Sequence, residues 1–159
     1  MLTRRETLTG VLSLPALSLF ASEAEAARAV AQEMFLYSNQ WRRKNGLSNL
    51  AQSRALTRSA QDFAEYMHRT NRFGHSVDGK RPMLRARAAG YRAMYIAENI
   101  AGRTYRGAPE PNVGQLLVGQ WINSPGHRKN MASRKARDLG CGVMIADGMI
   151  YAVQTFGRT

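Results

Sequence analysis

The chain has 159 residues, 23 basic and 11 acidic, for a formal net charge of +12. That length suits one domain with its own core, and a single cysteine, Cys141, excludes an internal disulfide. The positive excess favours anionic partners such as lipid headgroups, acidic cell-wall polymers or nucleic acid, although 19 of the 23 basic residues are arginine and an Arg-rich proteome alone would give the same bias.

The first elements are addressing signals. Thr3-Arg4-Arg5 opens a short basic region, and Leu8 to Ala21 is apolar but too short and broken to span a bilayer. Ala24-Glu25-Ala26 follows as an A-x-A cleavage pattern. Residues 1–26 therefore read as an export signal, and the paired arginines favour the twin-arginine type over an ordinary secretory one. Residues 27–159 would be the mature domain, with 21 basic against 8 acidic residues, placed in the periplasm or outside the cell. No later stretch is apolar enough to cross a membrane.

Val30, Met34, Tyr37 and Trp41 form one apolar stripe at helical spacing, and Arg42-Arg43-Lys44 suits the negative end of that helix before Asn45-Gly46 stops it. Leu56, Ala60, Phe63 and Met67 give a second helix. A polar loop, RTNRFGHSVDGKRP, leads to a short helix from Met83 to Ala89 with Gly90 beyond its end. Tyr95 to Ala101 reads as a strand with Glu98 inside it, and GRTYRGAPEP as a loop. Asn112 is expected to cap the next helix with Gln115 as capping-box partner, burying Val113, Leu116, Leu117 and Trp121. Ser124-Pro125-Gly126 should end it in a type II turn. GCGVMIA and MIYAVQTF flank Asp147-Gly148, the signal of a type I′ hairpin that pairs Cys141 with Gln154. Helices followed by a closing hairpin indicate an α+β layered domain.

Three histidines remain. His68 ends an amphipathic helix and reads as a surface residue. His75 and His127 lie in turn-rich segments, where rigid elements present functional groups. Glu98 interrupts an apolar run, and a carboxylate drawn toward a core needs a cation, a metal or hydrogen-bond donors. His75, Glu98 and His127 are thus candidates to meet, though their spacings of 23 and 29 residues match no local metal motif. Cys141, between two glycines, reads as a small buried hydrophobe. Gln154, opposite it, is a candidate to line a cleft.

FGHS at 73–76, DGKRP at 78–82, R-x-x-x-x-G-Y from Arg85 to Tyr91, AENIAG at 97–102, WINSPGHRKN at 121–130 and GCGV at 140–143 come in order. Together they closely resemble bacterial members of the CAP superfamily (cysteine-rich secretory proteins, antigen 5 and pathogenesis-related proteins), also called SCP-domain proteins. Asn39 also stands where the family often has an asparagine. The resemblance implies a three-layer α-β-α sandwich with a central antiparallel sheet and a cleft that in many members holds two histidines and two glutamates. By motif match, His75, Glu98 and His127 fill three of these four places. Ser124 stands where eukaryotic members carry the second glutamate, as is common in bacterial relatives.

Two imidazoles aimed at one point have three uses: binding zinc or another divalent metal through His75 and His127, general-base hydrolysis with His75, Glu98 and His127 as catalytic residues, or ordering of a polar core. Metal or ligand binding ranks first, and whether the protein is an enzyme stays open. In a hydrolase, Ser76 and Ser124 are candidate hydroxyls. Arg128 and Asn130 are expected to stitch their loop to the body or to pair with Glu98, and Asn99 to order the strand end. Basic residues from Lys80 to Arg92 and from Arg128 to Arg137 flank the histidine segments and suit an anionic envelope glycan, lipid or peptide carboxylate. A third class of function is envelope attachment by charge alone. Nucleic acid is disfavoured, because no stacking aromatics or recognition helix accompany the arginines. The protein is expected to act as a monomer.

Overall fold

The computed structural model describes residues 14–106 and 112–159, with side chains from residue 22 onward. The basic opening at Thr3–Arg5, the first half of the apolar run and the 107–111 part of the expected loop lie outside the described residues.

Among the described residues, five helices pack on a four-stranded sheet. The order along the chain is α1 (Leu14–Lys44), β1 (Ala51–Gln52), α2 (Arg54–Thr70), α3 (Pro82–Ala88), β2 (Tyr95–Thr104), α4 (Val113–Asn123), α5 (Pro125–Met131), β3 (Asp138–Ala146) and β4 (Met149–Arg158). The strands run β1-β3-β4-β2; β4 is antiparallel to both β3 and β2, while the two-residue β1 adds to β3 in parallel. Helix α1 is continuous through Ala24–Ala26.

The sheet divides the core by alternation, since successive side chains of a strand face opposite sides. Leu139, Cys141, Val143, Ile145, Ala152 and Phe156 face α1 and α4, in one cluster with Val30, Met34, Leu117 and Trp121. Ile100, Tyr151 and Val153 face α2, against Ala60, Phe63 and Met67. The result is the three-layer α-β-α sandwich, with α1, α4 and α5 on one face and α2 and α3 on the other.

The hairpin turns as expected: Asp147 and Gly148 have φ of 52° and 73°, the left-handed pair that a type I′ turn requires, and Cys141 pairs with Gln154. The glycines of GCG serve the packing of a helix on the sheet. A Cβ on Gly140 would lie 2.1 Å from the Leu56 carbonyl carbon, and one on Gly142 would lie 2.2 Å from the Gln61 nitrogen. Their absent side chains let α2 sit directly on β3.

Two expectations at helix ends are corrected. Asn112 does precede α4, but with a left-handed φ of 64° and no side-chain cap. The Glu33 carboxylate of α1 accepts the Gly114 N–H at 3.0 Å instead, so the negative group at this helix start comes from a neighbouring helix rather than from a local capping box. After Ser124 the chain does not enter a type II turn and a loop. Pro125 takes the first position of α5, where its missing N–H costs nothing and its fixed φ suits a helix, so His127 rides on a short helix.

Candidate functional site

Glu98 lies in the middle of β2 and is 6% exposed. A carboxylate at such a position must be compensated. Its partner is Arg85 of α3, whose Nη2 donates to Oε1 at 3.0 Å and to Oε2 at 2.8 Å. The same Nη2 donates to the His75 carbonyl at 2.9 Å, and Nη1 donates to the Asp78 carboxylate and the Lys80 carbonyl, both at 2.9 Å. The guanidinium lies over the Phe63 ring, 3.5 Å from its centroid. Nε has no hydrogen-bond partner among the described residues. Stacking on the ring offsets part of the cost of that buried donor, about 1–3 kcal/mol.

Arg85 therefore ties three things together: the loop from His75 to Lys80, the carboxylate of the sheet, and α2 through Phe63. The sequence signalled that Glu98 needs a cation, a metal or hydrogen-bond donors; the structure supplies a cation that the sequence reading did not name. Arg128 does not pair with Glu98; it donates to the Ile122 carbonyl at 3.2 Å and closes its own helix junction.

His75 Nδ1 stands 2.9 Å from Glu98 Oε1. A carboxylate only accepts, so Nδ1 carries the hydrogen and, in the neutral ring, Nε2 keeps its lone pair. The His75 side chain is half exposed, against 3% for Glu98, so the chain runs from a buried guanidinium through a buried carboxylate to an open imidazole.

His127 is fixed through its backbone. Its carbonyl accepts from Asn99 Nδ2 at 3.2 Å, and Asn130, one turn further along α5, donates to the Glu98 carbonyl at 3.1 Å and to Asn99 Oδ1 at 2.9 Å. Asn99, completely buried, is a hub rather than a strand end: its Nδ2 also reaches Gln154 Oε1 at 3.3 Å, and Gln154 Nε2 donates to Ser38 of α1 at 2.6 Å. Gln154 thus belongs to a buried polar ladder and does not line the cleft. Burial, and then the nearby His75, hold the His127 imidazolium below its ordinary pKa of 6.5. The structure therefore brings His75, Glu98 and His127 to one place and favours a neutral His127.

His68 is elsewhere, 3.1 Å from Asp147 at the hairpin turn, and Cys141 is buried with its thiol pKa pushed up by burial. Neither Ser76 nor Ser124 hydrogen-bonds to a histidine among the described residues. Two imidazoles, those of His75 and His127, are the nitrogen donors at this place; both oxygens of Glu98 are taken by Arg85 and one of them also by His75. Among the described residues no group of three or more His, Cys, Asp or Glu side chains is arranged to hold a metal ion. With both its oxygens already taken, Glu98 is placed to orient His75 rather than to ligate a metal itself, so any metal here would have to be held by the two imidazoles.

The model of the cysteine-rich secretory protein family, CAP, matches residues 35–156, and the chain belongs to that family. It is 28% identical over 138 residues to the protein YkwD of Bacillus subtilis, across 86% of this chain and 51% of that protein, so the chain spans about half the length of this curated relative. Among solved structures it resembles an extracellular protein containing an SCP domain from Bacillus anthracis, with a TM-score of 0.74 and 24% identity over 95% of this chain and 45% of that one. It also resembles an outer surface protein of Borrelia burgdorferi, with a TM-score of 0.73 and 20% identity over 83% of this chain and 94% of that one.

Proposed function

We propose that this chain is an exported binding protein whose cleft takes one divalent transition metal of the zinc type between His75 and His127 and offers the remaining coordination positions to an anionic ligand of the cell envelope. The observation that carries this reading is the Arg85–Glu98–His75 chain. It holds His75 with Nδ1 protonated and Nε2 free, the form in which imidazole binds a metal, with a carboxylate behind it to fix the ring's tautomer and orientation. The depressed pKa of His127 keeps the second donor neutral, and metal ligation requires that form. When bound, the metal would supply Lewis-acid positions for an oxygen ligand.

Export rests on the Thr3-Arg4-Arg5 opening and the Ala24-Glu25-Ala26 pattern, which assign residues 1–26 to a twin-arginine signal and the mature domain to the periplasm or the exterior. The extracellular and outer-surface descriptions of the Bacillus anthracis and Borrelia proteins agree with this. Among the described residues no helix is long and apolar enough to cross a membrane.

Calorimetric titration with zinc chloride tests the metal reading on wild type, His75→Ala and His127→Ala. One-to-one binding that disappears in both variants is expected, and a folded wild type that takes up no zinc would remove the metal from the account.

The His75–Glu98 contact also supports a second reading, a hydrolase in which His75 is a general base oriented by Glu98. Ester or peptide cleavage that persists in metal-free protein and disappears in Glu98→Gln would favour it.

A further inference from the structure

A second cluster of charge lies at the other end of α5. Arg42, in the last turn of α1, is 2% exposed. Its Nε donates to the Ser48 carbonyl at 2.9 Å, and its Nη1 donates to the Met131 and Ser133 carbonyls at 2.6 and 3.1 Å. Its Nη2 donates to no group among the described residues.

Two exposed arginines, Arg134 and Arg137, belong to the loop after α5 that Arg42 holds: Arg42 bonds the Ser133 carbonyl and Arg137 bonds the next one, that of Arg134, so two guanidiniums sit on adjacent peptide groups. Arg137 is folded onto the loop, with Nη1 donating to the Arg134 and Ala136 carbonyls at 2.7 and 3.0 Å. Burial, and then the charges of Arg137 and Arg134, lower the pKa of Arg42, in keeping with that placement. Arg43, Lys44 and Lys135 lie next to them in sequence and are exposed. Among the described residues no ion pair reaches any of these six side chains. Backbone carbonyls satisfy individual N–H groups here but contribute no net negative charge.

We propose that Arg42, Arg134 and Arg137 form a binding site for a phosphate group, separate from the histidine cleft and independent of any metal there. Arg42 is held by three carbonyls before the ligand arrives, so little side-chain entropy remains to be lost on binding. The planar fork of arginine matches phosphate oxygens. Three guanidiniums exceed what the two oxygens and single charge of a carboxylate can serve, whereas a phosphate offers more of both. His127 occupies the first turn of α5 and the Met131 carbonyl its last, which puts the length of that helix between the two sites.

The phosphate can be free or part of a lipid headgroup, and two probes separate these sources. Sodium pyrophosphate is titrated by calorimetry in metal-free buffer at fixed ionic strength. Phosphatidylglycerol vesicles are compared with phosphatidylcholine vesicles by cosedimentation. The test variant is Arg134→Ala/Arg137→Ala, and the control is Arg28→Ala/Arg58→Ala, which loses the same charge from α1 and α2. Binding should weaken about tenfold or more in the test variant and far less in the control. Pyrophosphate binding with this pattern assigns a free phosphate group. Vesicle binding alone with this pattern assigns a lipid headgroup. Equal weakening in the two variants, or no binding to either probe, would overturn the site.

Discussion

Replacing Arg85 with methionine removes the cation beneath the cleft while leaving an apolar stem on Phe63. The Glu98 side chain is 3% exposed and would lose both of its bonds from Nη2, keeping only the half-exposed His75. Removing one partner of a buried ion pair costs about 3–5 kcal/mol. In a chain of this length each kcal/mol lowers Tm by a few degrees, so a fall of roughly 6–20 °C is expected. Arg85→Met/Glu98→Gln also removes the more deeply buried of the two stranded carboxylates, leaving only Asp78 without its cation, and should recover at least half of the loss. Urea denaturation of wild type, both single variants and the double variant closes a thermodynamic cycle. A single-variant loss below about 1 kcal/mol, or a double variant no more stable than Arg85→Met, would refute the idea that Glu98 depends on Arg85.

Further expectations concern individual groups. The His127 imidazole should titrate below 6.5 by proton NMR, and its midpoint should rise in His75→Ala, because one of the two causes of the depression is then gone. A folded-state pKa below the unfolded value gives a contribution to stability that is complete above about pH 6.5 and is lost as pH falls through the folded pKa; urea midpoints across that range should show it. Gly142→Ala should destabilise by about 1–3 kcal/mol or more in urea, since the new Cβ meets the backbone of α2. Asn99→Ala should cost about 1–3 kcal/mol for each buried partner left unsatisfied and should weaken zinc binding by loosening His127. Cys141 should stay unreactive toward a thiol reagent until the domain unfolds, being buried with a raised pKa.

Much of this fold is legible because local pattern and tertiary environment agree. Leu56, Ala60, Phe63 and Met67 repeat at helical spacing, and all four are buried. Asp147-Gly148 fixes a turn, and the turn fixes the register of every pair in the hairpin. The α1 stripe was only half readable. Val30 and Met34 are buried, but further along α1 the buried positions are Ser38, Asn39 and Arg42, while Tyr37 and Trp41 are only partly covered. Polar residues enter a core when distant carbonyls or side chains receive them, and no periodicity encodes that. Asn39 bonds both backbone groups of Leu50, and Arg42 reaches the Met131 carbonyl across 89 residues.

The site divides in the same way. His75, Glu98 and His127 were singled out from their motifs, and the carboxylate inside an apolar run called for a cation, a metal or hydrogen-bond donors. That the cation is Arg85, rather than Arg128 or a metal, depends on how α3 packs beside β2. The α5 helix beneath His127 was read as a turn because Ser-Pro-Gly is equally compatible with a turn and with a helix start. Asn112 misled for a related reason: the residue type fits a cap, but Glu33 of another helix had already taken the role.

If the proposed site is right, His75 is locked with Nδ1 protonated, and its Nε2 and His127 converge on one ion. Long-range proton–nitrogen NMR of the histidine rings, recorded without zinc and with one equivalent, tests it most directly. Before zinc, His75 should show a protonated Nδ1 and an unprotonated Nε2. With zinc, His75 Nε2 and one nitrogen of His127 should shift together and saturate at one equivalent, while His68 stays unchanged. A protonated Nε2 on His75, or zinc shifts at only one of the two rings, would contradict the account.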